Sequence, residues 1–104
     1  MNTKRDQLIE MLQNEPHDSF LNYALALEYA KVNNVKKAIE IIEELLLRDE
    51  NYLAAYYQLG KLYGQMNQPA KAIVIFEKGI VIAKKQNNRK TLGELNEALM
   101  MLED

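Results

Sequence analysis

Residues 53–86 read LAAYYQLGKLYGQMNQPAKAIVIFEKGIVIAKKQ, and the 34 residues before them carry the same pattern. Aligned without a gap, residues 19–52 and 53–86 are identical at nine positions, whereas unrelated stretches of ordinary composition share about two. The identical pairs are Tyr23/Tyr57, Leu25/Leu59, Tyr29/Tyr63, Asn33/Asn67, Lys37/Lys71, Ala38/Ala72, Ile39/Ile73, Ile41/Ile75 and Glu43/Glu77. An internal period of this length is typical of solenoid folds, so the sequence predicts two copies of one structural unit.

The apolar residues of each copy recur at helical spacing. Leu21, Leu25 and Tyr29 lie four residues apart, and a second apolar stripe follows over residues 38–46. Positions three or four apart share one face of a helix, and the second copy repeats both stripes. Each copy is therefore predicted to be a pair of helices.

A short turn separates the two helices of each predicted pair. Asn33 and Asn67 interrupt the apolar patterns, and Asn tolerates the left-handed backbone that often ends a helix. Pro69 suits the first turn of the helix that follows. Because the turns are short, we expect the paired helices to run antiparallel.

Small residues occupy matching positions of the two copies, since Ala26 aligns with Gly60 and Ala38 with Ala72. Small side chains allow two helix axes to approach closely. Gly inside a helix costs about 1 kcal/mol relative to Ala, so Gly60 in particular predicts a close contact between helices.

One further helix is predicted on each side of the repeats. Thr3 and Asp6 have the spacing of a capping box, and the apolar face that follows them ends at Pro16. After Asn88, a leucine stripe indicates a final helix. We predict six helices, at about 3–14, 18–31, 35–48, 52–65, 69–85 and 89–102. They form a single domain over 1–104, with an N-terminal cap helix (3–16), repeat 1 (19–52), repeat 2 (53–86) and a C-terminal capping helix (88–104).

Composition and charge argue against several classes of function. Thirteen Lys and Arg against fifteen Asp and Glu give a net charge of -2, so no overall field attracts nucleic acid or anionic lipid. With no Cys and one His, we expect no disulfide, no metal site and no cofactor. The charged start is unlike a secretory signal, and no segment approaches the roughly 20 apolar residues of a membrane span. We therefore predict a cytoplasmic protein that binds neither nucleic acid nor membrane.

Residues 50–80 resemble a tetratricopeptide repeat, whose pattern is an aromatic, then Leu-Gly three residues on, then Tyr, Ala and a further aromatic. The first copy departs from this pattern with Asn22 in place of the leading aromatic, and Gly79 replaces the usual late Ala of the second copy. Residues 3–16 resemble half a repeat, and residues 88–104 resemble the polar helix that closes such arrays. The matching residues of the second copy are Tyr56, Leu59, Gly60, Tyr63, Ala72 and Phe76.

This resemblance implies an all-α solenoid, a right-handed superhelix whose first helices line a concave groove for a peptide or a partner's helix. Family members that clamp a terminal carboxylate carry Lys and Asn in this groove. Tyr23 and Leu27 occupy those positions here, so that specificity is not expected. Carried over by position, the residues that line the groove are Phe20, Tyr23, Leu27, Lys31, Tyr57, Lys61 and Gln65.

Tyr23 and Tyr57 are the foremost candidates for partner contact, because an exposed Tyr offers a large amphipathic surface. The alternative is that both side chains pack on a neighbouring repeat. Tyr29, Tyr56 and Tyr63 are predicted to belong to the core.

Three polar clusters have simple structural interpretations. His17 lies beside Asp18, a predicted helix N-cap, and has no second metal ligand nearby. A carboxylate pair for acid–base catalysis needs burial, so we interpret a group of glutamates as a solvated face: Glu40, Glu43 and Glu44. Cations near a helix C-terminus oppose its dipole, and we favour that interpretation over an RNA site for Lys84, Lys85, Arg89 and Lys90.

The sequence thus predicts a non-catalytic protein–protein interaction module. The alternative is a structural segment that forms a homodimer or spaces other domains, since Met100 and Met101 add adaptable apolar surface. An enzyme is not expected, because the chain has no Gly-rich phosphate loop, no Cys nucleophile and no Ser-His-acid constellation.

Overall fold

The computed structural model describes residues 3–103, and within this range it contains six α-helices and no strand. The all-α prediction is confirmed, and each helix begins and ends within one residue of its predicted position. Residues 1, 2 and 104, which the predicted domain includes, lie outside the described residues. The helices are α1 (Lys4–Asn14), α2 (Ser19–Lys31), α3 (Val35–Arg48), α4 (Leu53–Gln65), α5 (Pro69–Lys85) and α6 (Arg89–Glu103).

The helices group into two compact units that divide between Glu50 and Asn51. Unit 1 contains α1, α2 and α3, and α2 packs on both of the others. Unit 2 contains α4, α5 and α6; α5 packs on both of the others, and α4 also touches α6. Each unit therefore holds the two helices of one predicted repeat and one flanking helix. The single domain over 1–104 stays a prediction.

Side-chain caps start the first two helices where the sequence predicts them. Thr3 and Asp6 form the capping box, since Asp6 N–H donates to Thr3 Oγ1 at 3.1 Å and Thr3 N–H donates to Asp6 Oδ2 at 3.3 Å. Asp18 Oδ1 accepts from the backbone N–H of Leu21 at 2.8 Å. Each cap satisfies a donor that the first turn of a helix leaves free.

Three of the helices end in the same left-handed turn. Asn33, Asn67 and Asn87 have φ angles of 63°, 57° and 55°, the region that Asn tolerates better than most side chains. In each turn the next N–H donates to a carbonyl five residues earlier, at 2.9–3.0 Å. The N–H of the Asn itself also donates, to the carbonyl three residues earlier. The two hydrogen bonds satisfy carbonyls at the end of the helix, and the chain reverses within a few residues.

In unit 1, Leu8 of α1 joins Leu21 and Leu25 of α2 in one buried cluster, and Ile41 of α3 packs against it. The open ends of α2 and α3 are tied together, because the Ser19 hydroxyl donates to Asp49 Oδ2 at 2.6 Å. Apolar burial along the helices and this hydrogen bond across the ends of α2 and α3 both stabilise unit 1.

In unit 2, two glycines bring the helices into close contact. A Cβ added at Gly60 of α4 would overlap the ring of Phe76 on α5. A Cβ added at Gly79 of α5 would lie 2.8 Å from Tyr56 Cβ and 3.2 Å from the methyl groups of Leu95 on α6. The sequence-based expectation of close packing at Gly60 is confirmed.

These contacts predict opposite effects of the same substitution at different glycines. Gly60→Ala and Gly79→Ala are each expected to lower the free energy of unfolding by about 1–3 kcal/mol, because the added methyl overpacks a filled site. Gly93→Ala in α6 is the matched control: an added Cβ there meets nothing within 4 Å, so helix propensity raises stability by about 1 kcal/mol. Urea denaturation followed by circular dichroism measures all three. Equal stabilisation of the three variants would contradict the close packing.

The start of α5 is capped less well than the starts of α3 and α6. The Oδ1 atoms of Asn34 and Asn88 each accept a backbone N–H of the following helix, at 3.3 Å and 3.0 Å. Gln68 holds the corresponding position before α5 but makes no side-chain cap. Within residues 3–103, its buried Oε1 has no hydrogen-bond partner.

Gln68→Asn is therefore expected to raise the free energy of unfolding by about 1 kcal/mol, since the shorter side chain can cap the helix. Thermal and urea unfolding measure the change. The reciprocal variant Asn34→Gln serves as the control, and we expect it to lose a similar amount. If the stability of Gln68→Asn is unchanged or lower, positions 34 and 68 are not equivalent as helix caps.

Candidate functional site

An open groove of about 670 Å³ lies within unit 2, between α4 and α6. Its α4 wall consists of Tyr57, Gly60, Lys61, Gly64 and Gln65. Its α6 wall consists of Glu94, Glu97, Ala98, Met101 and Leu102, and Phe76 of α5 lies between the walls.

Both walls have the same helical spacing. Counting from Tyr57 on α4 and from Glu94 on α6, the lining residues follow at steps of three, four, seven and eight. Residues at these steps lie on one face of a helix. Each helix therefore presents one continuous face to the groove, and on the α4 face Gly64 leaves open space.

The floor of the groove is the aromatic ring of Phe76, which is only 2% exposed. The ring reaches this place because Gly60 has no side chain to exclude it. The half-buried Tyr57 ring stands beside it, with centroids 6.4 Å apart and planes tilted by 46°. Such tilted aromatic pairs are favourable, and this one gives the groove a rigid apolar base.

The charges on the two walls differ in sign. Lys61 on α4 places its ammonium 5.1 Å from the centroid of the Tyr57 ring, a cation–π contact. Glu94 and Glu97 are exposed on α6, and within residues 3–103 neither carboxylate forms an ion pair. On the α4 wall of the groove, the Lys61 ammonium thus contacts a ring of the same wall. On the α6 wall, the two carboxylates are exposed to solvent.

Three of the seven predicted groove residues meet around this groove, namely Tyr57, Lys61 and Gln65. The other four lie on α2 of unit 1. Phe20 is 65% exposed, Tyr23 and Leu27 are half-buried, and Lys31 is exposed. A groove common to all seven stays a prediction. Tyr56 and Tyr63 are buried as expected, whereas Tyr29 is partly buried against the unit 1 cluster.

Lys31 is engaged within unit 1. Its ammonium donates to Glu28 Oε2 at 2.9 Å, and Lys4 of α1 reaches the same oxygen at 3.9 Å. The hydrogen bond from Lys31 and the positive charges of both lysines hold the pKa of Glu28 below its ordinary value of 4.5. Arg5 lies over the Tyr29 ring at 5.5 Å, so charged side chains join α1 to α2 at two points.

Sequence reasoning missed the α6 wall, because it interpreted that helix as a polar cap. Leu95 is fully buried, consistent with the leucine stripe, but Glu94, Glu97 and Met101 form a second stripe beside it that faces the groove. Their spacing of three and four residues is visible in the sequence. Nothing in the sequence indicates that this stripe lies opposite α4.

The remaining polar clusters are solvated. His17 is exposed, and Asp18 caps α2 as expected. The glutamates of α3 and the four basic residues around the α5–α6 turn are also exposed: Glu40, Glu43, Glu44, Lys84, Lys85, Arg89 and Lys90. In the described part of the chain, no three His, Cys, Asp or Glu side chains form a group that could hold a metal ion. None of the described helices has the length and apolar character needed to cross a membrane.

Comparison with known proteins agrees with this architecture. The tetratricopeptide repeat family profile matches residues 21–52 and 53–86, more than half of the chain. The crystal structure of a tetratricopeptide repeat domain protein from Salinibacter ruber is 38% identical; the match covers 83% of this chain and 97% of that one, with a TM-score of 0.79. No curated protein sequence matches the chain significantly.

Two more distant structures share the fold. A protein from Bordetella parapertussis is 24% identical over 98% of this chain and 89% of its own, with a TM-score of 0.86. The TPR2B domain of yeast Sti1, solved in a complex with pHsp70, is 18% identical over 95% of this chain and 79% of its own, with a TM-score of 0.89. The predicted fold class, an all-α solenoid, is confirmed.

The ion pairs of Glu28 predict that part of the stability of unit 1 is lost in acid. A carboxyl whose pKa is lowered by folding stabilises the fold above its unfolded value of 4.5, and this contribution disappears as the pH falls through the lowered pKa. The difference in urea midpoint between the wild type and Glu28→Gln should therefore narrow between about pH 7 and about pH 3.

The matched control for this measurement is Glu40→Gln, which removes an exposed carboxylate from α3. The difference in urea midpoint between the wild type and Glu40→Gln should not narrow in the same way as the pH falls. A constant difference for Glu28→Gln, or equal narrowing for both variants, would contradict a stabilising role of the ion pairs.

Proposed function

The chain belongs to the tetratricopeptide repeat family, and we propose that it is a non-catalytic interaction module that binds a peptide or partner helix between α4 and α6. The observation that carries the proposal is the open groove of about 670 Å³, which has an aromatic floor and two helical walls. Concave sites of this size, mostly apolar with a few placed polar groups, are typical of ligand binding.

The lining of the groove supports a polypeptide ligand. Tyr57 and Met101 combine apolar surface with adaptability, a combination that is frequent where proteins contact peptides. Met101 is 74% exposed, so a ligand could bury much of its side chain. Family membership adds support, since tetratricopeptide repeats are interaction modules.

The Sti1 domain provides a limited precedent. It was solved in a complex with pHsp70, so a domain of this fold can hold a protein ligand. At 18% identity the similarity shows a shared fold and does not show a shared ligand. Tyr23 and Leu27 occupy the positions of a carboxylate clamp in the sequence, and the proposal accordingly excludes that specificity.

The exposed face of α2 is proposed as a second contact surface for the partner. Phe20 is the most exposed of its apolar residues, and Tyr23, Leu27 and Lys31 follow along the same helix. The absence of nucleic-acid binding and the cytoplasmic location remain sequence-based predictions within this proposal.

Self-association is the second candidate function. It is favoured by the exposure of Met100 and Met101, at 66% and 74%, since contiguous exposed apolar side chains at a helix end mark interaction surfaces. In this case the groove would be covered by a second copy of the chain.

Gly64→Gln is expected to abolish ligand binding without unfolding the protein. Gly64 lines the groove, and an added Cβ there meets nothing within 4 Å, so a longer side chain enters the groove without displacing core atoms. The measurement is binding of peptides selected on the wild type from a random phage-displayed library. Gly93→Gln is the control, because Gly93 also has open space around it and does not line the groove.

Equal binding by Gly64→Gln and Gly93→Gln would disprove the groove as the binding site. Sedimentation over a range of concentrations separates the two candidate functions. A wild-type dimer that Gly64→Gln dissociates would identify the ligand as a second copy, and a monomer that binds library peptides would support the interaction module.

A further inference from the structure

We propose that the ligand of the α4–α6 groove is a peptide segment of another protein with an apolar side and one or two basic residues that pair with Glu94 and Glu97. This inference rests on the proposed function and specifies the chemistry of the partner. It follows from the charges on the walls of the groove, from its length and from its depth.

The unpaired charge of the groove is negative. Glu94 and Glu97 lie one turn apart on the face of α6 that lines the groove. Lys90 precedes Glu94 by one turn on the same helix, but within residues 3–103 no ion pair joins them. Both carboxylates therefore remain available to a Lys or Arg of the ligand.

The cation of the opposite wall is not equally available. The ammonium of Lys61 lies over the Tyr57 ring at 5.1 Å, so a ligand carboxylate must compete with that contact or share the ammonium with the ring. A ligand cation near α6 meets two free carboxylates and displaces nothing. Electrostatic complementarity therefore favours a basic segment over an acidic one.

The dimensions of the groove limit the bound segment. The lining residues of each wall extend over eight residue steps, which at 1.5 Å per residue is about 12 Å. This length matches about two turns of a helix, or about four residues of an extended chain at 3.3 Å each. One or two basic residues in such a segment can reach the α6 wall while its apolar side chains face Phe76.

The absence of a side chain at Gly64 determines which part of the ligand enters most deeply. The Phe76 ring fills the space over Gly60, whereas the space over Gly64 is open to the groove. Burial of apolar groups there is favourable, whereas a buried unpaired charge is costly. The ligand is therefore expected to place its apolar residues over Gly64, beside the Phe76 ring, and its cations at the α6 rim.

The first test compares the peptides that different baits enrich from one random phage-displayed library. Wild-type protein should enrich peptides that combine apolar residues with Lys or Arg. The bait Glu94→Lys/Glu97→Lys should instead enrich Asp or Glu with the same apolar residues. Glu40→Lys/Glu44→Lys, on α3 outside the groove, makes the same change of charge and should enrich the same peptides as the wild type.

The second test measures affinity for one synthetic peptide from the wild-type selection. Glu94→Gln/Glu97→Gln should weaken binding by about three- to tenfold, the range expected for two exposed ion pairs. The loss should shrink at about 0.5 M salt, where exposed charges are screened. Glu40→Gln/Glu44→Gln should bind as the wild type does.

The outcomes distinguish the two levels of the proposal. Peptides that lose binding to Gly64→Gln, but show no basic enrichment and no response to the double glutamate variant, would overturn this inference and leave the proposed function standing. If no enriched peptide depends on Gly64, the proposed function fails, and this inference fails with it. A second copy of the chain as the occupant, detected by sedimentation, would also overturn it.

Discussion

The approach of the Phe76 ring to the backbone of Gly60 governs how unit 2 is built. A Cβ at position 60 would overlap the ring, so α4 and α5 meet at a distance that only glycine allows without rearrangement. The contact places an aromatic side chain in the centre of the unit, and close-packed interiors of this kind respond to changes as small as one methyl group. Because the same ring forms the floor of the groove, the stability of the unit and the shape of its candidate site depend on one contact.

A second steric constraint explains why the two repeats differ. Unit 2 has Tyr56 and Gly79 where unit 1 has Asn22 and Leu45, so the large and small residues are exchanged. In unit 2 the small residue makes room, since a Cβ at Gly79 would lie 2.8 Å from Tyr56 Cβ. In unit 1 the leucine is fully buried, and the Asn22 amide donates to two backbone carbonyls at the start of α2. Both departures from the family pattern are accommodated inside their own unit.

Helix α6 links stability to recognition. Its leucine face packs on α5, where Leu95 meets the backbone of Gly79, and the neighbouring face carries Glu94, Glu97 and Met101 into the groove. Burial of the first face sets the rotation of the helix about its axis, and this rotation determines where the carboxylates stand. The core of unit 2 therefore positions the charges that a ligand meets, although none of those charges belongs to the core.

Local patterns were sufficient to predict the six helices, the N-terminal caps of α1 and α2, and most of the core. Helical spacing, Asn in left-handed turns and a capping box each depend on residues only a few positions apart. The 34-residue period then predicts that the same helix pair occurs twice. Three groove residues on α4 were predicted differently, because only the family resemblance, carried over by position, assigned Tyr57, Lys61 and Gln65 to a groove. The α6 wall could not. The leucine stripe indicates which face of α6 is buried, but only the packing of that face against α5 places the neighbouring stripe, with Glu94 and Glu97, opposite α4. The contacts of Lys61 with Tyr57 and of Lys31 with Glu28 could not be predicted from the sequence either. A flexible cationic side chain binds the partner that the tertiary structure places within its reach.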